Sequence, residues 1–116
     1  MKLKNYSVLI IDDHPLIIEA YKYALGLITT ENTGISFQIE VANTCDTGYT
    51  KIKEASKKRK KNLLIFLDIL LPSSEDNVLL SGEDLGFQIK KLLPNHKIIV
   101  STSYSDKYRI HSIFQN

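Results

Sequence analysis

The chain has 116 residues, 43% of them apolar and 24% charged, which is enough for one folded domain with a core of its own, and its net charge of +2 excludes a strongly charged partner as the organising principle. One cysteine, Cys45, excludes an intramolecular disulfide or a cysteine-based zinc cluster and fits a reducing cytoplasm. The start, Met1-Lys2-Leu3-Lys4-Asn5-Tyr6, leads into a short apolar run that two aspartates interrupt, which is neither a signal peptide nor a membrane span, so the expectation is a cytoplasmic protein with no membrane partner.

Ser7-Val8-Leu9-Ile10-Ile11 is rich in branched side chains and ends in Asp12-Asp13, so it reads as a first buried strand. His14-Pro15 then opens a helix, because proline suits a first turn, where its missing N–H is not needed. Leu16, Ala20, Ala24 and Leu27, with Ile17 and Tyr21 beside them, recur at helical spacing to about Ile28. Residues 29–34, with Asn32 and Gly34, are turn chemistry.

Phe37-Gln38-Ile39-Glu40-Val41 alternates apolar and polar, as a half-exposed edge strand should. A second helix is expected over residues 46–58, with Tyr49, Ile52 and Ala55 as its inner stripe. Lys57-Lys58-Arg59-Lys60-Lys61 closes it, since cations favour a helix C-terminus; a nucleic-acid patch or sorting signal is the alternative reading of this run.

Leu63-Leu64-Ile65-Phe66-Leu67-Asp68-Ile69-Leu70-Leu71-Pro72 is the stretch around which the chain is organised. Five uncharged apolar residues suit a strand covered on both faces, and one acid stands where the strand runs out. Ser81-Gly82-Glu83-Asp84 opens a third helix with Leu85, Ile89, Leu92 and Leu93 as its buried face, and Pro94-Asn95 stops it. His96-Lys97-Ile98-Ile99-Val100 leads into a fourth strand ending in Ser101-Thr102-Ser103, and residues 106–114 read as the start of a fourth helix. Strands alternating with helices give an α/β class with a parallel sheet and right-handed crossovers, as a single domain over 1–116.

Asp12 and Asp13 follow the first strand and Asp68 follows the third. In a 2-1-3-4 strand order those strands are neighbours at the topological switch point, and the carboxylates converge in one cleft. Like charges held so close must gain a proton or a cation, and an all-oxygen donor set favours Mg²⁺. Thr102, at the end of the fourth strand, brings a hydroxyl donor to the same cleft, and the combination suits phosphoryl transfer to a carboxylate. The plainer reading of Asp12-Asp13 is a helix N-cap; His14 reads as a half-exposed helix-start residue rather than a ligand, and Cys45 as a small filler.

Val8-Leu9-Ile10-Ile11-Asp12-Asp13-His14-Pro15, Leu64-Ile65-Phe66-Leu67-Asp68-Ile69-Leu70-Leu71-Pro72 and Ile98-Ile99-Val100-Ser101-Thr102-Ser103 together resemble the receiver domain of two-component response regulators, in the right order and spacing. The resemblance implies a flavodoxin-like (CheY-like) doubly wound fold and a switch rather than a metabolic enzyme. It makes Asp68 the phosphoacceptor for a sensor histidine kinase, and it makes Asp12, Asp13, Asp68 and the Leu70 backbone carbonyl the Mg²⁺ ligands. Thr102 becomes the group that hydrogen-bonds the phosphoryl oxygen. The His14-Pro15 pair is similar to regulators of the NarL/LuxR type, which implies a DNA-binding output domain and a role in transcription.

Two departures accompany the resemblance. The chain ends fourteen residues after Thr102, within the fourth helix, so the family's fifth strand, its lysine and its last helix are missing and the expectation is a receiver incomplete at its C-terminus. Residues 74–80 form an insert beside the proposed site, where surface loops accept extra length cheaply. The fourth strand would then present an open edge, and either it or the fourth-helix face could carry a dimer. The competing functions are a pseudo-receiver that binds a partner without phosphorylation, and an aspartate-nucleophile phosphatase. The phosphatase reading is disfavoured because Leu70 stands where a second acid is usual.

Overall fold

The computed structural model describes residues 4–31, 34–71 and 81–101. Its elements are β1 (Lys4–Ile11), α1 (Pro15–Glu31), β2 (Ile35–Ala42), α2 (Cys45–Lys57), β3 (Leu63–Asp68), α3 (Gly82–Leu92) and β4 (Lys97–Ser101). The expected Thr102, the fourth helix at 106–114 and the insert at 74–80 lie outside the described residues.

β1 is the inner strand because Val8, Leu9, Ile10 and Ile11 have no polar face to offer water, and all four are buried. It pairs in parallel with β2 on one side and β3 on the other, which agrees with the expected neighbours. β4 pairs in parallel with β3, giving the order β2-β1-β3-β4. β2 lies at an edge, and its side chains alternate between half-buried and exposed until Ala42.

Parallel neighbours require crossovers, and the helices make them across both faces of the sheet. One face packs Leu9, Ile11, Ile65 and Leu67 against Ile52 and Ala55 of α2 and Leu85 and Ile89 of α3. The other packs Val8, Ile10 and Phe66 against Ile18 and Leu25 of α1, with Tyr21 half-buried beside them.

α2 and α3 bear out their expected faces, and local chemistry fixes their ends. The Thr44 hydroxyl accepts the Thr47 N–H at 3.1 Å and caps α2. At the other end Arg59 takes φ 51°, while Lys60 N–H donates to Ala55 O and Arg59 N–H to Ser56 O, a Schellman closure inside the basic run. α3 opens with a reciprocal box: Ser81 Oγ accepts Asp84 N–H at 3.1 Å and Asp84 Oδ2 accepts Ser81 N–H at 3.0 Å.

α1 departs from its expected pattern. Leu16, Ala20, Ala24 and Leu27 are all exposed, and the helix instead buries Ile18 and Leu25, seven residues apart. The physical reason is that α1 is apolar around most of its circumference, so spacing alone offers more than one stripe, and the sheet takes the one that fits over Val8 and Ile10.

Candidate metal centre

Ile11 sits opposite Leu67, and that register brings the next residue of each strand, Asp12 and Asp68, to the same carboxyl edge of the sheet. Asp12 is 2% exposed and Asp68 5% exposed. Carboxylates taken that far out of water must be paired or hydrogen-bonded, and both are.

Asp12 Oδ1 accepts the backbone N–H of His14 at 2.9 Å, and its own N–H donates to Ala42 O on β2 at 3.0 Å. It is therefore fixed ahead of α1 without capping it: the first helical bond runs from Ile18 N–H to His14 O, so His14 holds the cap position. Asp68 Oδ1 accepts the Leu70 N–H at 2.9 Å, and Leu71 N–H donates to Asp68 O at 3.2 Å, a tight turn that ends β3 and fixes the carboxylate. The other oxygen, Oδ2, faces His14. Asp13 is more open and reaches the same point from the rim.

That point holds the ring of His14. Its Nδ1 lies 2.8 Å from Asp12 Oδ1, 3.1 Å from Asp13 Oδ1 and 3.5 Å from Asp68 Oδ2. One ligand atom from each of the four side chains falls within 4.8 Å of all the others. The sequence brought Asp12, Asp13 and Asp68 into view and dismissed His14. The signal that would have found it is its position two residues after a buried acid, where a turn folds the ring back on the carboxylate.

The electrostatics follow from this geometry. The hydrogen bond to Asp12, then the charge of Asp13, raises the His14 pKa above its ordinary value. Burial raises the Asp68 pKa; the Leu70 N–H pulls it back, and the Asp12 charge adds to the rise. Three acids converge on a single imidazole, so acidic groups outnumber basic ones and the cluster favours a further cation. Oxygen donors aimed at one point suit a hard divalent ion such as Mg²⁺, while retention of the imidazole nitrogen as a ligand would shift preference toward transition metals.

Thr102 lies outside the described residues, and Leu70 enters the site through its N–H. Cys45 stands at the start of α2, fully buried, and burial pushes its thiol up to about 11, which makes it a core filler rather than a nucleophile. A cavity of about 770 Å³ opens at the opposite end of the sheet among Tyr6, Phe37, Leu64 and His96, away from the carboxylates. Among the described residues no helix is long and apolar enough to cross a membrane. A scan of the chain against models of known protein families finds no match, and a search among curated proteins finds none either.

Proposed function

We propose that this chain is a phosphoryl-accepting receiver domain of the two-component type, with Asp68 as the acceptor. The observation that carries the reading is the meeting of Asp12, Asp13 and Asp68 at the carboxyl edge of two adjacent parallel strands. The finer architecture that goes with it is the flavodoxin-like arrangement, in which β4 (Lys97–Ser101) leads to a further crossover and strand.

In this mechanism Asp68 Oδ2, the oxygen not committed to Leu70, attacks the phosphorus of a phosphohistidine on a sensor kinase or of a small acyl phosphate. The new P–O bond forms as the donor's P–N or P–O bond breaks, and the leaving group departs with that electron pair and takes up a proton from solvent as its basicity requires. Asp12, Asp13, Asp68 and the Leu70 carbonyl would hold Mg²⁺, which when bound neutralises charge on the equatorial phosphoryl oxygens. Burial of Asp68 keeps water from the acyl phosphate, and the Leu70 N–H holds the carboxylate in line. His14, with its ring largely in solvent, turns outward to admit the cation. Thr102 would hydrogen-bond the transferred group and bias a two-state surface toward an output domain that binds DNA.

A second reading has its own observation. The His14 ring already sits among the three acids, where in its protonated form it would serve as a built-in counter-ion for a pseudo-receiver that recognises its partner without phosphate or metal.

Intact-protein mass spectrometry after incubation with acetyl phosphate separates the two. The proposal expects one added phosphoryl group that requires Mg²⁺, disappears in Asp68→Asn and survives in His14→Ala. A folded chain that takes up no phosphoryl group and shows no calorimetric binding of Mg²⁺ overturns it in favour of the second reading.

A further inference from the structure

The cavity of about 770 Å³ at the amino end of the sheet falls in the ~300–1,000 Å³ range of small-molecule sites. Its floor is aromatic and aliphatic. Tyr6 of β1 stands opposite Phe37 of β2 in the parallel register, their ring centroids 5.8 Å apart, and Ile35 and Leu64 line the same hollow. The rest of its lining carries charge of one sign. Lys60 and Lys61 contribute to it, with Asn62 and Asn95 beside them, and among the described residues no carboxylate does.

The two lysines are carried by a fixed loop. Arg59 at φ 51° and Asn62 at φ 56° bracket them, two left-handed residues without the freedom of glycine. Lys60 N–H donates to Ala55 O at 3.1 Å, and Lys60 O accepts the His96 Nε2–H at 2.8 Å. Ser7 N–H ties Asn62 O to β1 at 3.0 Å. His96 also lines the cavity, and its other ring nitrogen, Nδ1, is buried with no hydrogen-bond partner among the described residues. Native interiors satisfy most such atoms. Neither Lys60 nor Lys61 forms an ion pair among the described residues.

These features select a chemistry. An aromatic floor suits a flat ring, and two cations without a countercharge suit an anion. The hollow has the volume of a small molecule rather than the breadth of a protein interface. We propose that the cavity binds a small planar anion, with its ring against Tyr6 and Phe37 and its carboxylate or phosphate on Lys60 and Lys61. Aromatic acids and nucleotides share this chemistry. The site lies at the opposite end of the sheet from Asp68 and stands whether or not that residue accepts a phosphoryl group.

Nitrogen-edited NMR titration of the full chain with 2-naphthoate, its neutral analogue 2-naphthylmethanol and AMP is the test. Naphthoate produces saturable shifts with a Kd below about 1 mM, centred on Tyr6, Phe37, Asn62 and Leu64, with ring-to-ring nuclear Overhauser effects to Tyr6 and Phe37. The neutral analogue binds at least about tenfold more weakly. Lys60→Gln combined with Lys61→Gln removes that difference while the spectrum keeps its native dispersion. Tighter binding of AMP than of naphthoate assigns the site to nucleotides, and the reverse order assigns it to aromatic acids. Absence of saturable shifts at the cavity overturns the proposal, as does equal affinity for acid and alcohol or indifference to the double lysine variant. Overhauser effects that place other side chains of this chain, or of a second copy, against both Tyr6 and Phe37 overturn it equally.

Discussion

The two faces of the sheet are finished to different degrees. Under α2 and α3, Leu9, Ile11, Ile52, Ile65, Leu67, Leu85 and Ile89 are sealed from solvent. Gly48 lets α2 come so close that a Cβ there would lie 3.1 Å from Ile11 and 3.2 Å from Leu85. Among the described residues the other face lies under α1, whose main additions to the core are Ile18, Leu25 and the ring of Tyr21, 4.4 Å from Phe66. A helix that shares a face with a second helix spends its apolar residues inward.

The largest expected contrast is in core truncation. Leu85→Ala is expected to cost about 3 kcal/mol and Ile18→Ala nearer 2 kcal/mol by urea denaturation, because the cavity left by Leu85 has no solvent-side route to collapse. Equal costs would erase the distinction between the faces.

Glycines sharpen the contrast by sign. At Gly82 an added Cβ would fall 2.5 Å from Ile69 O, a backbone atom that cannot step aside, so Gly82→Ala loses about 1–3 kcal/mol. Gly26 on α1 meets nothing within 4 Å, so Gly26→Ala gains up to about 1 kcal/mol through helix propensity and a less mobile unfolded chain. Thermal melts of the two variants should move in opposite directions.

The smallest effects belong to the carboxyl edge in the presence of a chelator. Burial holds the Asp68 pKa above 3.8, so its favourable share of stability is complete below 3.8 and is lost as pH rises through the native value. Asp68→Asn lacks that loss and should melt above the wild type at neutral pH, with the gap closing in acid. The opposite group, His14, has a native pKa raised above 6.5, so its share is complete below 6.5 and fades as pH rises through that native value. His14→Gln should flatten this slope slightly, and imidazole NMR titration reads the native pKa directly. A His14 that titrates at its ordinary value would mean that the ring does not sit among the acids in solution.

Legibility in the sequence followed the same division. Buried strands announce themselves because a run such as Leu63–Leu67 has no polar alternative, and the acids at their ends could be placed before any coordinates. α2 and α3 were legible because charged residues leave each a single apolar stripe. α1 was not, because Leu16, Ala20, Ala24 and Leu27 make as good a helical stripe as Ile18 and Leu25, and only the shape of the sheet chooses between them. His14 was missed for a related reason. Its role comes from the turn that Asp12 makes with its backbone N–H, and such a turn leaves no periodic signature.

The contact at Gly82 reaches beyond stability. The first residue of α3 rests directly on the peptide that follows Asp68, backbone against backbone, with no side chain to absorb a displacement. A shift of a few tenths of an ångström at Ile69 has to reappear at the start of α3, and a helix about 16 Å long transmits it as a rod. At its far end the Leu92 carbonyl accepts the Ser56 hydroxyl of α2 at 3.3 Å. Mechanically, the acid edge, α3 and the C-terminal turn of α2 form one linkage, with its fulcrum at a residue that has no side chain.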